Sequence, residues 1–295
     1  MNLTWVAVAF AGGLVVLLVI GNSLVAFIAT RPRLQARLFG QTNRAELQPE
    51  ALGLGYEHVE YGDGLWGWWI PARRSTTNVV LVHGFGLSAE PIKFAPEPLL
   101  GFAATLGDLG FSSLVINLGY ATGTHPYSGG GAEADDIVQA VDWLEQRHSA
   151  PVAVWGFSAG GHDALVAAAK DTRIMGVAVD SAFTHTGEIV QQQAARTLKA
   201  PRWLFVLTPL FLKAFGGRDL DVAAVWASSP RKPTLIIHGA SDEAIDPSEA
   251  HRLQTITNGD IWIVPAAGHV DSYRVATEDY AAHASAFLRS FEAHA

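Results

Sequence analysis

The pentapeptide Gly156-Phe157-Ser158-Ala159-Gly160 is the part of this chain best suited to covalent chemistry. The apolar run at 152–155 leading into it has the character of a short buried strand, and the run at 161–170 leaving it has that of a helix. A serine held on so tight a strand-to-helix turn needs very small residues two positions away on either side, and Gly156 and Gly160 meet that need. The turn would lift the Ser158 hydroxyl clear of the sheet. It would also aim the first helical N–H groups at negative charge forming beside it, the requirement of acyl transfer. Taken alone, the pattern favours an ordinary strand-to-helix turn, so its meaning rests on partners elsewhere in the chain.

A serine nucleophile requires a general base, and the base requires an orienting carboxylate. The strand-like run at 234–237 ends in His238-Gly239-Ala240-Ser241-Asp242, and the run at 261–264 ends in Pro265-Ala266-Ala267-Gly268-His269. Both candidates fall just past the carboxyl ends of predicted strands, where open α/β sheets form their ligand crevice. Asp242 is read as the acid and His269 as the base, in the chain order serine, acid, histidine. Asp180, after the run at 177–179, and Asp246 are rival carboxylates; the G-x-x-D spacing favours Asp242 and leaves Asp180 a structural role. Among eleven histidines, His269 alone follows a strand-end turn in the last position of that order. His162 reads as a packed core residue on the helix behind Ser158, and His125 and His185 as loop or lid residues without an apparent partner. The strand signal at 78–82 leads into His83-Gly84-Phe85-Gly86, so the N–H groups of Phe85 and Ala159 are the expected oxyanion donors, with His83 bracing the turn.

With the HG turn (His83, Gly84), the elbow (Ser158), the G-x-x-D turn (Gly239, Asp242) and the G-H turn (Gly268, His269) in order, the chain resembles the α/β-hydrolase superfamily from residue 56 to the C-terminus. Within it, the chain is similar to a bacterial esterase and serine-peptidase-like group that often carries a single membrane anchor. Residues 132–144 match the helix preceding the elbow strand in that group. One departure is Asn117-Leu118-Gly119-Tyr120-Ala121-Thr122-Gly123, where members often have an arginine- and glycine-rich turn. The resemblance implies an α/β-hydrolase fold and a carboxylesterase-like serine hydrolase acting through an acyl-enzyme. An acyltransferase or a peptidase with the same triad, or a non-catalytic membrane-tethered binding module, is the alternative.

The elements that must position these groups are a hairpin at 56–61 and 65–71 around Gly62-Asp63-Gly64, then strands near 78–83, 112–117, 152–156, 174–180, 234–238 and 261–264. Helix-like stretches between most of them predict a mostly parallel sheet covered on both faces, with the hairpin as an antiparallel edge. The interval 183–229 is too long for one crossover helix and reads as a small helical lid. Its apolar patch, 203–207 and 210–212, is read as packing onto the core, with an acyl-chain or membrane-facing wall as the functional alternative.

A length of 295 residues allows one α/β domain with an appendage. Mean hydropathy is +0.20, high for a purely soluble enzyme, and the excess sits at 3–29. As a helix that run would be roughly 40 Å long, enough to cross a bilayer with tilt. No Lys or Arg precedes Arg31 and no small-x-small cleavage site ends the run, so a transmembrane anchor is favoured over a signal peptide. The expected organisation is an anchor at 1–30, a polar linker at 31–55 that lifts the enzyme off the bilayer, and a hydrolase domain at 56–295. Arg31, Arg33, Arg37 and Arg44 follow the anchor, which predicts a single-pass protein with a cytoplasmic catalytic domain and contact with anionic headgroups.

The net charge of -8 argues against a nucleic-acid partner. The absence of cysteine excludes disulfides and thiolate metal sites, and no H-E-x-x-H or dinucleotide fingerprint occurs. Gly119, Gly123 and Gly129-Gly130-Gly131 read as loop flexibility. The expectation is therefore no metal and no cofactor, with a small or lipid-like acyl substrate.

Overall fold

The computed structural model describes residues 3–31, 34, 49–73, 75–85 and 98–291, with side chains of the first helix from residue 12 onward. Eight strands form one sheet: β1 (Glu57–Gly62), β2 (Leu65–Ile70), β3 (Asn78–Val82), β4 (Ser112–Ile116), β5 (Val152–Phe157), β6 (Ile174–Asp180), β7 (Thr234–Gly239) and β8 (Asp260–Val264). Their order is β1-β2-β4-β3-β5-β6-β7-β8. β1 and β2 pair antiparallel, β2 runs antiparallel to β4, and the remaining pairs are parallel. Each predicted strand lies within a residue of its observed bounds at either end.

The alternation of side chains along β3, β4 and β5 divides the core in two. Val80, Val82, Leu114, Ile116 and Val154 face one layer, while Val79, Leu81, Val115 and Trp155 face the other. The described helices, in chain order, are α1 (Leu3–Ala29), α2 (Pro98–Leu109), α3 (Gly119–Thr122), α4 (Gly131–Arg147), α5 (Ala159–Lys170), α6 (Thr186–Thr197), α7 (Thr208–Ala214), α8 (Val222–Trp226), α9 (Ser248–Thr257), α10 (Ser272–Val275) and α11 (Thr277–Arg289). α4 and α5 cover the first layer and α2 and α11 the second, which leaves the carboxyl ends of the strands free to carry loops.

The interval between β6 and β7 holds α6, a 3-10 turn at Arg202–Phe205, α7 and α8, the helical lid expected there. Its apolar patch divides in two. Phe205 and Leu212 are buried, whereas Trp203, Val206 and Leu210 are 62%, 62% and 65% exposed.

α1 does not stand apart on a polar linker. Its second half lies on the lid: Asn22 Nδ2 donates to Leu204 O at 2.7 Å, Thr208 Oγ1 donates to Asn22 Oδ1 at 2.8 Å, and Phe27 meets Phe215 edge-on at 5.4 Å. Tyr127 N donates to Thr30 O at 3.2 Å. The amide of Asn22 makes this seating specific, because burying it between two apolar surfaces is tolerable only with all its hydrogen bonds made. Most of the predicted linker, including Arg33, Arg37 and Arg44, lies outside the described residues.

Candidate active site

Ser158 closes β5 and opens α5 with φ 52° and ψ −120°, a left-handed backbone that a non-glycine residue adopts only when its surroundings impose it. Here the glycines impose it. A Cβ on Gly156 would overlap the backbone of Gly160, and one on Gly160 would overlap the carbonyl of His83. The Ser158 N–H donates to Asp180 O at 2.8 Å, which locks the turn to the end of β6.

The ends of β7 and β8 are tied together in the same manner. Ala240 N donates to Val264 O and Ser241 N to Ala267 O, both at 2.9 Å, and Gly239 is packed so closely on the carbonyls of Ala267 and Gly268 that no side chain would fit. That contact brings the two loops into register. His269 Nδ1 lies 2.8 Å from Asp242 Oδ2, and His269 Nε2 lies 3.0 Å from Ser158 Oγ. In the neutral tautomer that this arrangement suits, Nδ1–H donates to the carboxylate and Nε2 is left to accept from the hydroxyl.

Asp242 is nearly buried, yet its other oxygen accepts from Ala244 N at 2.8 Å and Ile245 N at 2.9 Å. Burial alone would push this carboxyl up; hydrogen bonds from His238 and His269 and the backbone N–H of Ile245 outweigh it and hold the group well below the usual carboxylate range. His238 was not among the sequence candidates for this site. Its Nε2 lies 3.3 Å from Asp242 Oδ2 and 3.1 Å from Ile245 O, and both are acceptors, so Nε2 carries the proton. Burial works to lower the His238 pKa, and the Asp242 hydrogen bond and charge turn the net shift upward. The one available signal was its place four residues before Asp242.

The rival groups take other roles. Asp180 is buried beneath the turn and accepts from Ser181, Ser272 and Tyr280 at 3.1 to 3.2 Å; desolvation lifts its pKa to about 6. Asp246 is exposed and accepts from Ser248 N. His162 stacks on Phe183 at 5.0 Å, and complete burial pushes it down to about 4, the neutral packed residue expected.

Two expectations need correcting. His185 caps α6 and sits 3.1 Å from Asp219, and His125 pairs with Asp136 at 3.0 Å, so neither lacks a partner. The glycines at 129 and 130 are not loose loop either. They take φ of 76° and 101°, and Gly130 N and Ser128 N donate to the buried Glu133 carboxylate at 2.9 and 2.8 Å, capping α4.

His83 is buried in the turn after β3, with Leu118 N donating to its Nε2 at 3.2 Å and its Nδ1 donating to Gly84 O at 2.9 Å. Tyr120 OH also donates to Gly84 O, at 2.9 Å. The Phe85 ring packs on Tyr127 at 4.7 Å and against the cluster of Ala159, Phe183 and Ile245, so the turn bearing Phe85 abuts the start of α5. Gly86 lies outside the described residues. A cavity of about 520 Å³ opens between α6 and the β7 loop, lined by Gln192, Arg196, Ala200, Arg202, Asp242, Glu243 and other residues. It reaches Asp242 rather than Ser158, and so flanks the Ser158 turn instead of containing it. Among the described residues, no three His, Cys, Asp or Glu side chains gather in a way that could hold a metal ion.

A mostly parallel sheet carrying a strained serine at the turn from β5 into α5, with an aspartate after β7 and a histidine after β8, defines an α/β-hydrolase. A model of the prolyl oligopeptidase family matches residues 126–293, more than half of the chain. The chain belongs to that family and is a serine hydrolase. The fold is similar to that of the esterase Pf2001 of Pyrococcus furiosus, with TM-score 0.66 and 22% identity over 84% of this chain and 96% of that one. It is also similar to a dienelactone hydrolase of Anabaena variabilis, with TM-score 0.55 and 22% identity over 80% and 98% of the two chains. A comparison with curated proteins finds no match.

Proposed function

We propose that this serine hydrolase is a membrane-anchored esterase that cleaves a carboxylic ester through an acyl-enzyme on Ser158. The observation that carries the reading is the single imidazole of His269 lying within hydrogen-bond reach of both Ser158 Oγ and Asp242 Oδ2. His269 Nε2 takes the hydroxyl proton as Ser158 Oγ bonds to the ester carbonyl carbon, and the same proton passes to the alkoxide leaving group as the carbon–oxygen bond breaks. Water then enters by the reverse sequence: His269 removes its proton, the acyl bond to Ser158 breaks, and Ser158 Oγ recovers a proton. Asp242 holds the imidazole in its tautomer and stabilises the imidazolium. The N–H groups of Phe85 and Ala159 face the developing oxyanion, each contributing about 3 kcal/mol in comparable sites.

Ester is preferred to amide because the chain carries a helix, Gly12–Ala29 in its most apolar window, long and apolar enough to cross a membrane, and because the similar solved structures include an esterase. The family description favours a second reading, a peptidase on the same triad. Arg31 and three further arginines after the apolar run favour a cytoplasmic hydrolase domain in this reading.

The test compares full-length protein and Ser158→Ala on p-nitrophenyl esters of graded chain length and on a prolyl p-nitroanilide peptide, with fluorophosphonate labelling as the readout of the nucleophile. The wild type is expected to label and to turn over esters, and the variant to do neither at an unchanged unfolding midpoint. Wild-type turnover in the variant would refute the assignment, and preference for the anilide would move the reading to peptidase.

A further inference from the structure

The exposed lid residues and the exposed face of α1 belong to two elements held together through Asn22 and Phe27. Leu204, whose carbonyl holds Asn22, is flanked by Trp203 and lies two residues before Val206, and both of those side chains point into solvent. On α1 itself, Leu14, Val15, Leu17, Ile20 and Leu24 are 40% to 69% exposed. The part of α1 that precedes Asn22 would be about 28 Å long, close to the ~30 Å of a hydrocarbon core, and Asn22, which holds the lid, ends that length. Trp203, Val206 and Leu210 therefore stand at the level where a spanning α1 would leave the acyl chains, a depth at which indole side chains are favoured.

Charge points the same way. Arg196, Lys199, Arg202, Lys213 and Arg218 are the charged residues between Glu188 and Asp219, all basic, in a chain of net charge -8. Basic residues close in sequence to an exposed apolar patch match anionic headgroups above acyl chains, and Arg202 also lies 4.0 Å from Glu188. A second copy of the chain is a poorer occupant, since a two-fold contact would set these basic residues against their own copies.

We propose that the lid is a membrane-docking element: Trp203, Val206 and Leu210 enter the acyl–headgroup boundary of the bilayer that α1 crosses, while Lys199, Arg202 and Lys213 meet its anionic headgroups. The proposal rests on the anchor reading of α1. Asn22 fastens the lid to the helix through Leu204 and Thr208, so lid depth is set by the anchor. Arg202, which lines the cavity beside Asp242 together with Ala200, immediately precedes Trp203 in the chain, so one wall of that cavity belongs to the same lid segment as the exposed patch. The substrate class that follows is an ester bearing an alkyl chain, taken up from the bilayer rather than from bulk water.

The chain has no cysteine, which allows single labels to be placed at will. Full-length Trp203→Cys, Val206→Cys and Leu210→Cys are each labelled with bimane and reconstituted into vesicles of phosphatidylcholine and phosphatidylglycerol, with and without doxyl-labelled lipid. Leu17→Cys reports the anchor and Glu60→Cys, exposed on β1, reports the aqueous phase. Several-fold quenching by doxyl lipid is expected at the three lid positions and at residue 17, with none at residue 60, and shallower lid quenching in vesicles lacking phosphatidylglycerol. All three lid positions are exposed, so these changes remove no core contact. Lid labels as unquenched as residue 60 while residue 17 is quenched would refute docking and leave the anchor intact. Loss of quenching at residue 17 as well would remove both. Lid labels that are blue-shifted yet insensitive to doxyl lipid, in a chain that sediments as a dimer, would assign the patch to a second copy and overturn the proposal.

Discussion

His238 and His269 converge on one oxygen of Asp242: Nε2 of His238 lies 3.3 Å, and Nδ1 of His269 2.8 Å, from Oδ2. The carboxylate is thus held from behind by a buried imidazole and faces an accessible one in front. His238 is consequently a positioning residue for the proposed chemistry, acting through Asp242 without touching substrate.

Replacing His238 by Phe keeps a ring in the buried space and removes the donor. A lost hydrogen bond to a charged acceptor is worth about 1.5 kcal/mol at the low end, which corresponds to roughly tenfold in rate. The expected outcome is a kcat lowered about tenfold with KM nearly unchanged, and partial recovery in His238→Asn. Steady-state kinetics on a p-nitrophenyl ester would decide it, and a pure KM effect would rule the positioning role out.

Gly239 marks the contact that joins the acid turn to the histidine turn. In Gly239→Ala the new methyl meets the carbonyls of Ala267 and Gly268, so the β7 and β8 loops must separate. Overpacking of this kind costs about 1–3 kcal/mol, and the displacement of Asp242 from His269 should reduce turnover more than thermal unfolding reduces the folded population. Gly107 in α2 is the control, because nothing lies within 4 Å of its Cβ position. Gly107→Ala should raise stability by up to about 1 kcal/mol and leave kinetics alone. Scanning calorimetry paired with esterase assays separates the two behaviours.

His125 predicts a pH dependence of stability. Its hydrogen bond to Asp136 raises the pKa from 6.5 to about 9 against an opposing contribution from burial, with the Pro126 carbonyl and the Glu133 charge assisting. The folded pKa exceeds the unfolded one, so the native state binds the proton more tightly. The stabilisation is complete below 6.5 and disappears as pH rises through about 9. The unfolding midpoint should therefore decline across that window, and His125→Gln should flatten the decline. Equal slopes for the two proteins would show that another group is responsible.

The elements of the site were legible because each is announced by local chemistry. Small residues around Ser158, glycines at strand ends and period-two apolar runs state which backbone conformations are allowed and which faces are buried, and those signals span only a few residues. His238 shows where such signals stop. Its role depends on the chain reversing between Gly239 and Ile245 so that a buried strand residue comes to lie behind Asp242, a geometry that adjacent letters do not encode. The partners of His125 and His185 escaped for the same reason, as Asp136 and Asp219 are reached only after α4 and the lid have packed.

The first helix makes the division plainest. Its apolar run and length were set by composition alone, since both follow from residue types along a single segment. Its seat on the lid follows from Asn22 meeting Leu204 and Thr208, residues more than 180 positions away. Secondary structure and reactive groups were written in the order of the amino acids, because propensity and periodicity are short-range. Which groups meet, and which apolar surface is left facing outward, was decided only by the folded chain, because burial and hydrogen-bond satisfaction are properties of all the packed elements together.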